Sequence, residues 1–348
     1  MSRPLFLTIL VLGFTSPGPA PAQTASPIPW TFASGDFTVF GHTEYTVTMT
    51  LLPRIVFDTA HRVDSLRTVD SVRIGSTTPP QPKSDTMGFA AGLSSWPANL
   101  YCGRLNSGTM ETLTPSSVLG RIQLAARCGV RLVIVPPRRM LTTNALAKGV
   151  FSVDSAERLT DRYAAVLPAD TLRKYRATIL GMNLADDYTC SSCWGGKTIT
   201  QAQVAAWAAY ARTRLPGLPL GVRTVPDWVA SFPGLGPLLD YTWAQYHAGK
   251  GDAKAYYDRA AKIAGRLGLK VVMGVNVENC YGTEAGACTA ADLLRYGTLA
   301  LNHPASCAFI SWRYRETTWQ VPEVRAAWEQ LLAEARARPA VDCRRGEG

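Results

Sequence analysis

No Gly-x-Gly-x-x-Gly follows the first strand-like segment of this 348-residue chain, and it holds no Walker loop and no Gly-x-Ser-x-Gly elbow. The first two absences argue against a dinucleotide- or nucleotide-binding open sheet, and the third argues against a serine hydrolase. No cofactor is called for. Beyond the first residues, no stretch is long and apolar enough for a membrane helix. Histidine is scarce, at four residues, and none accompanies Cys190-Ser-Ser-Cys193 or the pair Cys280 and Cys288. Zinc is therefore the weaker reading of those cysteines, and loop disulfides the better one. No metal ligand set is assigned.

The N-terminus carries what an export signal requires: Arg3, an apolar run from Leu5 to Phe14, and Ala20-Pro21-Ala22 before Gln23. This marks residues 1–22 as a signal peptide and the mature protein as secreted or periplasmic, with no integral membrane segment left after its removal. Export places all eight cysteines in an oxidising compartment. Cys190 with Cys193 and Cys280 with Cys288 are the expected staples. Cys102, Cys128, Cys307 and Cys343 remain, and a structural staple among the last three is expected at the base of the fold.

Lys plus Arg number 36 against 26 for Asp plus Glu, a formal charge of +10. An acidic glycan, a cell-wall polymer or nucleic acid would suit that sign. The charges are scattered, which argues against nucleic acid, and the arginines between Arg336 and Arg345 read as the end of a terminal helix with a frayed tail.

Residues 23–86 differ in character. Phe37 to Phe57 reads as short strands, Val63-Asp-Ser-Leu-Arg67 is nearly repeated as Val69-Asp-Ser-Val-Arg73, and Thr77 to Ser84 is linker-like. This segment is taken as a β-rich extension, followed by a barrel domain over 87–339 and a C-terminal tail over 340–348. From Met87 onwards, strand patterns alternate with amphipathic helices, the signature of an α/β (β/α)8 TIM-type barrel. Strands are predicted at Gly88–Ser94, Val130–Pro136, Ala177–Asp187, Leu218–Val225, Asp240–His247, Leu269–Asn279 and Ala308–Tyr314. Helices are predicted at Ser116–Arg127, Ser155–Arg176 with a break at Pro168, Thr200–Arg214, Ala253–Arg266, Ala290–Asn302 and Pro322–Arg338. Seven strands are visible, and the eighth is expected between Pro137 and Arg176.

Two of the strands end alike. Gly181-Met-Asn183-Leu-Ala-Asp186-Asp187 and Gly274-Val-Asn276-Val-Glu278 each run from glycine through asparagine to a carboxylate on one face, while the alternate face is apolar. Strand parity turns Asp187 and Glu278 inward and Asp186 outward. Around them, strand ends offer Trp96, Arg223, Trp243, Gln245, Tyr246 and Trp312, with Arg313 and Tyr314 after the last. Two carboxylates on separate strands among aromatic platforms fit glycosidic cleavage, in which one carboxyl donates a proton and the other attacks the sugar or activates water. Asp187 and Glu278 are the catalytic candidates. Trp96, Asn183, Asp186, Arg223, Trp243, Gln245, Tyr246, Asn276 and Trp312 are the candidate substrate-binding residues. Arg223, on an inward face, needs a charge partner, and Asp187 or Glu278 would serve.

This layout, with an acidic pair closing a middle strand, Tyr241-Thr-Trp-Ala-Gln-Tyr246, Glu278 on a late strand and Ser311-Trp312 on the last, resembles the (β/α)8 glycoside hydrolases of the large retaining clan. The resemblance covers about residues 87–338. It implies an acid/base after the fourth strand, which falls on Asp187, a nucleophile at the end of the seventh, which falls on Glu278, and a sugar platform at Trp312. The clan carries Asn-Glu where this chain has Asp186-Asp187, so inverting chemistry stays open. The expected activity is cleavage of a poly- or oligosaccharide. A non-catalytic carbohydrate-binding or envelope-associated barrel is the alternative, and a metal-assisted hydrolase around Asp186 and Asp187 a third.

Overall fold

Eight parallel strands close on themselves in the computed structural model, which describes residues 87–346 apart from 104–105, 144–148, 185 and 283–285. The expected signal peptide and the extension over 23–86 lie outside the described residues. The strands are β1 (Ala91–Leu93), β2 (Gly108–Thr112), β3 (Arg131–Val135), β4 (Ile179–Asn183), β5 (Leu220–Gly221), β6 (Tyr241–Tyr246), β7 (Lys270–Val275) and β8 (Ser306–Ser311). They pair in the order β1-β8-β7-β6-β5-β4-β3-β2. The ring is completed where the Ser107 N–H donates to Ala91 O at 3.0 Å and the Ser95 N–H donates to Met110 O at 2.8 Å. The fold is a (β/α)8 barrel.

All seven predicted strands are present, but the eighth lies elsewhere. It is β2, between the first two predicted strands, and the described residues of 137–176 hold a 3-10 turn, Arg138–Leu141, and two helices, Val153–Val166 and Ala169–Lys174. Among the described residues, only a 3-10 stretch, Ala98–Gly103, separates β1 from β2, so the alternation of strand and helix fails at that point. Counting β2 makes the strand before Asp186 and Asp187 the fourth, the one before Glu278 the seventh and the one before Trp312 the eighth.

The helices are α1 (Pro115–Cys128), α2 (Val153–Val166), α3 (Ala169–Lys174), α4 (Gln201–Arg214), α5 (Pro226–Ala230), α6 (Ala253–Arg266), α7 (Ala290–Asn302), α8 (Glu316–Trp319) and α9 (Pro322–Ala337). Their ends are written in the sequence. Pro168 separates α2 from α3, Thr200 with Gln203 forms a capping box on α4, and the Asp252 carboxylate accepts from Ala255 N on α6. Gly129, at φ 68°, closes α1 in the left-handed conformation that glycine adopts without steric cost.

Apolar residues separate into two bodies. One lies between the sheet and the helices and contains the outward strand residues Met182, Leu184, Met273, Val275 and Val277, as their alternation predicts. The other fills the barrel with Met110, Val133, Leu180, Tyr241, Trp243, Val272 and Ile310. Room for the Tyr241 ring comes from two glycines: a Cβ on Gly181 or Gly221 would stand within 2.5 Å of a ring carbon. The floor under the mouth is therefore one tyrosine laid across two glycines.

All eight cysteines are paired. Cys190–Cys193 and Cys280–Cys288 form as expected, Cys307 joins Cys343 at the base, and Cys128 joins Cys102. The C-terminal tail is not frayed. Cys343 is fully buried and belongs to the barrel filling, the Arg345 N–H donates to Asp240 Oδ1 at 3.1 Å, and Arg131 donates to Val341 O at 2.5 Å. The tail's arginines are used on carbonyls and carboxylates that would otherwise be stranded under the barrel. Among the described residues, no helix is long and apolar enough to cross a membrane.

Candidate active site

At the C-terminal mouth the strand ends do not keep the alternation of the strands below. β4 stops at Asn183, and Asp187 adopts φ 54°, the left-handed region that non-glycine residues rarely enter. The parity that would turn Asp187 inward and Asp186 outward thus ends before it reaches them. Asp186 and Asp187 line the same two adjoining clefts, of about 390 and 240 Å³. Asp186 is the more enclosed: its side chain is 23% exposed against 45% for Asp187. Ser95, at φ 58°, is the other non-glycine residue with positive φ among the described residues, and it lines the smaller cleft.

Arginines pair with each carboxylate. Arg223, the residue expected to need a partner, takes Asp186, its Nη1 lying 2.7 Å from Oδ2. Asp187 is held instead by Arg138, at 2.5 Å. Glu278 is held by Arg313 Nε at 3.2 Å and by Arg315. The indole of Trp312 links two of these pairs, with the Arg223 guanidinium 4.1 Å and the Arg313 guanidinium 5.1 Å from its ring. A continuous chain of contacts therefore runs Asp186, Arg223, Trp312, Arg313, Glu278 across the mouth. On the opposite wall, Arg138 lies 5.2 Å from the Trp194 ring, and the Trp194 indole N–H donates to Asp187 O at 3.1 Å.

The carboxylates stand in different electrostatic surroundings. Burial pushes the Asp186 carboxyl above the ordinary 3.8, and it outweighs the opposing pull of Arg223. Asp187 adds to the rise through like-charge repulsion. Glu278, which is 17% exposed and lines neither of the two clefts, has two guanidinium groups on it. One group is thus biased toward its protonated form, while another is bracketed by two guanidinium groups.

The remaining predicted residues divide. Trp243 and Gln245 line the larger cleft, together with Tyr188 stacked on Trp228 at 4.2 Å. Asn183 is fully buried beneath it and donates to Met110 Sδ at 3.2 Å. Asn276 pairs with Trp312 across β7 and β8 and caps Asn279 N at 3.0 Å, so it fixes the strand end that carries Glu278. Two residues are elsewhere. Trp96 is 2% exposed and packs edge-on against Tyr314 and Trp319, and Tyr246 is buried on the outer face of β6 against Tyr256, Tyr257 and Tyr296. Trp96 fills the gap between β1 and α8, and Tyr246 has the parity of the helix-facing residues. Neither lines the two clefts.

Arg138, Trp194 and Arg315 were not among the sequence candidates, and Arg313 was noted only as a strand-end residue. Arg138, Arg313 and Arg315 share a signal, since each follows the last residue of a strand by no more than four positions. Trp194 carries no such signal, because the loop that presents it is shaped by Cys190–Cys193. Among the described residues, no three His, Cys, Asp or Glu side chains gather as a metal-holding group.

No family model matches the chain, and no curated protein matches it. Solved structures do. A family 5 glycoside hydrolase of Bifidobacterium longum subsp. longum, in complex with Manβ1-4GlcNAc, is 13% identical over 70% of this chain and 74% of its own, at a TM-score of 0.45. An exo-β-1,4-mannosidase from an Opitutaceae bacterium is 13% identical over 72% and 60%, at 0.46. The β-mannanase of Thermomonospora fusca, bound to mannohexaose, is 13% identical over 68% and 82%, at 0.42.

Proposed function

We propose that the protein hydrolyses glycosidic bonds in a poly- or oligosaccharide, with Asp186 rather than Asp187 as the proton donor and Glu278 as the nucleophile or base. The observation that supports this reading is the chain of contacts that ties Asp186 and Glu278 together through Arg223, Trp312 and Arg313. It links an enclosed carboxyl pushed toward its acid form to a carboxylate carrying two guanidinium groups, and two-carboxylate hydrolysis needs an acid and a second carboxylate. As the bond from the anomeric carbon to the leaving oxygen breaks, the Asp186 proton passes to that oxygen. Glu278 either bonds to the anomeric carbon, to be displaced by water, or takes a proton from the attacking water directly. In both routes one water is consumed and its hydroxyl ends on the sugar. Asp187, paired with Arg138, keeps a second negative charge beside Asp186 and helps hold it protonated. Trp243, Gln245 and Trp312 would contact sugar.

The four disulfides support an exported protein, in keeping with the signal read at residues 1–22. The test is hydrolysis of a glycan panel by the full chain. Asp186→Asn and Glu278→Gln are each expected to lower kcat/KM by about 10²- to 10⁴-fold with the fold intact, while Asp187→Asn has a smaller effect. Full turnover in both of the first two variants refutes the assignment.

One observation favours a second reading. Each of the three carboxylates at the mouth is already matched by arginine, as in a site built for binding. A non-catalytic carbohydrate-binding barrel, free or associated with the cell envelope, would show no turnover on any glycan, with binding that survives Asp186→Asn and Glu278→Gln and fails with Trp312→Ala.

A further inference from the structure

The smaller cleft is lined by three guanidinium groups, Arg138, Arg223 and Arg313, against two carboxylates, Asp186 and Asp187. Each arginine lies over a tryptophan, Arg138 over Trp194 and the other two over Trp312. Each has one nitrogen committed to a carboxylate: Nη2 of Arg138, Nη1 of Arg223 and Nε of Arg313. A guanidinium offers five N–H donors, so a single such contact leaves most of the fork free. Stacking fixes the plane of the fork in advance, which lowers the entropy lost when a ligand is gripped.

The adjoining cleft adds Lys250 on its far side. A neutral sugar hydroxyl needs none of this positive charge, whereas an acidic substituent matches it. Charge accounting points the same way. Burial favours the neutral form of Asp186, and protonation would leave Arg223 facing the cleft without its counter-charge.

We propose that the glycan taken by this mouth carries an acidic substituent, a uronate carboxylate in the first instance, gripped by Arg138 and Arg313 over the faces of Trp194 and Trp312. The proposal rests on the glycan-cleaving reading and narrows it to acidic polysaccharides. A planar carboxylate suits the paired N–H groups of a guanidinium edge, and a sulfate ester offers the same charge with tetrahedral oxygens.

The experiment is titration calorimetry of the full chain, at physiological ionic strength, against polygalacturonate and its fully methyl-esterified form, with alginate, dextran sulfate and dextran alongside. The same polymers are incubated with the enzyme and assayed for new reducing ends. The expected result is at least about tenfold tighter binding to an acid form than to its neutral counterpart. Arg138→Gln is expected to remove about tenfold of that affinity, with Arg138→Lys in between. Because Arg138 is 43% exposed on its side chain, these variants should fold, and a melting curve checks it. Arg266→Gln, at the exposed end of α6, is the control for diffuse charge. Preference for dextran sulfate over the uronates supports the acidic substituent and identifies it as a sulfate. Equal binding of acid and ester, no binding of any acidic probe, or an equal loss in Arg266→Gln overturns the proposal. Turnover confined to a neutral glycan overturns it while the hydrolase reading stands. Selective, Arg138-dependent binding without turnover retains the acidic ligand and removes the hydrolase.

Discussion

Glu111 is the carboxylate outside the mouth whose environment carries the largest consequence for stability. It lies on β2 with its side chain toward the helix layer, 8% exposed, where it accepts from the Tyr101 hydroxyl and pairs with Arg121 Nη1 at 2.9 Å. Burial pushes it from the ordinary 4.5 to about 7, against the opposing pull of Arg121. Between those two values the folded protein retains a proton that the unfolded chain has released. Stability therefore falls as pH rises through this window and is level above it. A rise of that size corresponds to about 3 kcal/mol. Glu111→Gln keeps an acceptor for Tyr101 and cannot ionise, so the variant should escape the loss. Urea unfolding of both proteins at pH 4.5 and pH 7.5, read by tryptophan fluorescence, measures the difference directly. The wild type should lose about 3 kcal/mol more than the variant over that interval, about 6–12 °C in Tm for a domain of this size. If the two proteins show the same pH dependence, the raised carboxyl is refuted and Arg121 must hold Glu111 ionised.

Three further outcomes follow from the geometry. Cys307→Ser with Cys343→Ser opens a loop with a sequence separation of 36 residues; the unfolded-chain entropy model predicts a loss of about 4 kcal/mol in urea unfolding, and an unchanged midpoint would mean the tail is held by its arginines alone. Gly274→Ala places a Cβ 2.1 Å from the Ile310 backbone oxygen, which can move only by parting β7 from β8, so a loss of about 3 kcal/mol is expected, together with reduced activity from displacing Glu278. In a pH profile of kcat/KM, the alkaline limb set by the raised Asp186 carboxyl should disappear in Asp186→Asn, and a limb unmoved by that change assigns the proton donor to another group.

How much of this was legible in the chain depended on how strongly each segment used a regular repeat. Strands buried on both sides, such as Arg131–Val135 and Lys270–Val275, read as apolar runs and were found. Gly108-Thr-Met-Glu-Thr112 was not, because its five residues include two threonines and a glutamate and, among the described residues, only a 3-10 stretch separates it from β1. Which of Asp186 and Asp187 is the more enclosed was not legible, since two-residue parity holds only while the backbone stays extended, and Asp187 leaves it. Arg345 looked like tail because nothing local shows that Cys343 is tied to Cys307, which brings that guanidinium under the barrel.

Proposing Asp186 rather than Asp187 as the proton donor changes more than a residue number. With Asp187 as acid/base, the donor would have been a half-exposed carboxylate already engaged by an equally exposed Arg138. With Asp186, the donor is enclosed, and its neighbours act on it in opposite senses: Arg223 favours the anion, while burial and Asp187 favour the acid. Arg223 is in turn stacked on Trp312, whose other neighbour, Arg313, holds Glu278. A ligand anion gripped by Arg138 and Arg313, as proposed, would add negative charge to the cleft that Asp186 lines and favour its acid form further. Binding of an acidic glycan would then strengthen the proton donor as it fills the site, coupling recognition of the substituent to the readiness of the acid that cleaves beside it.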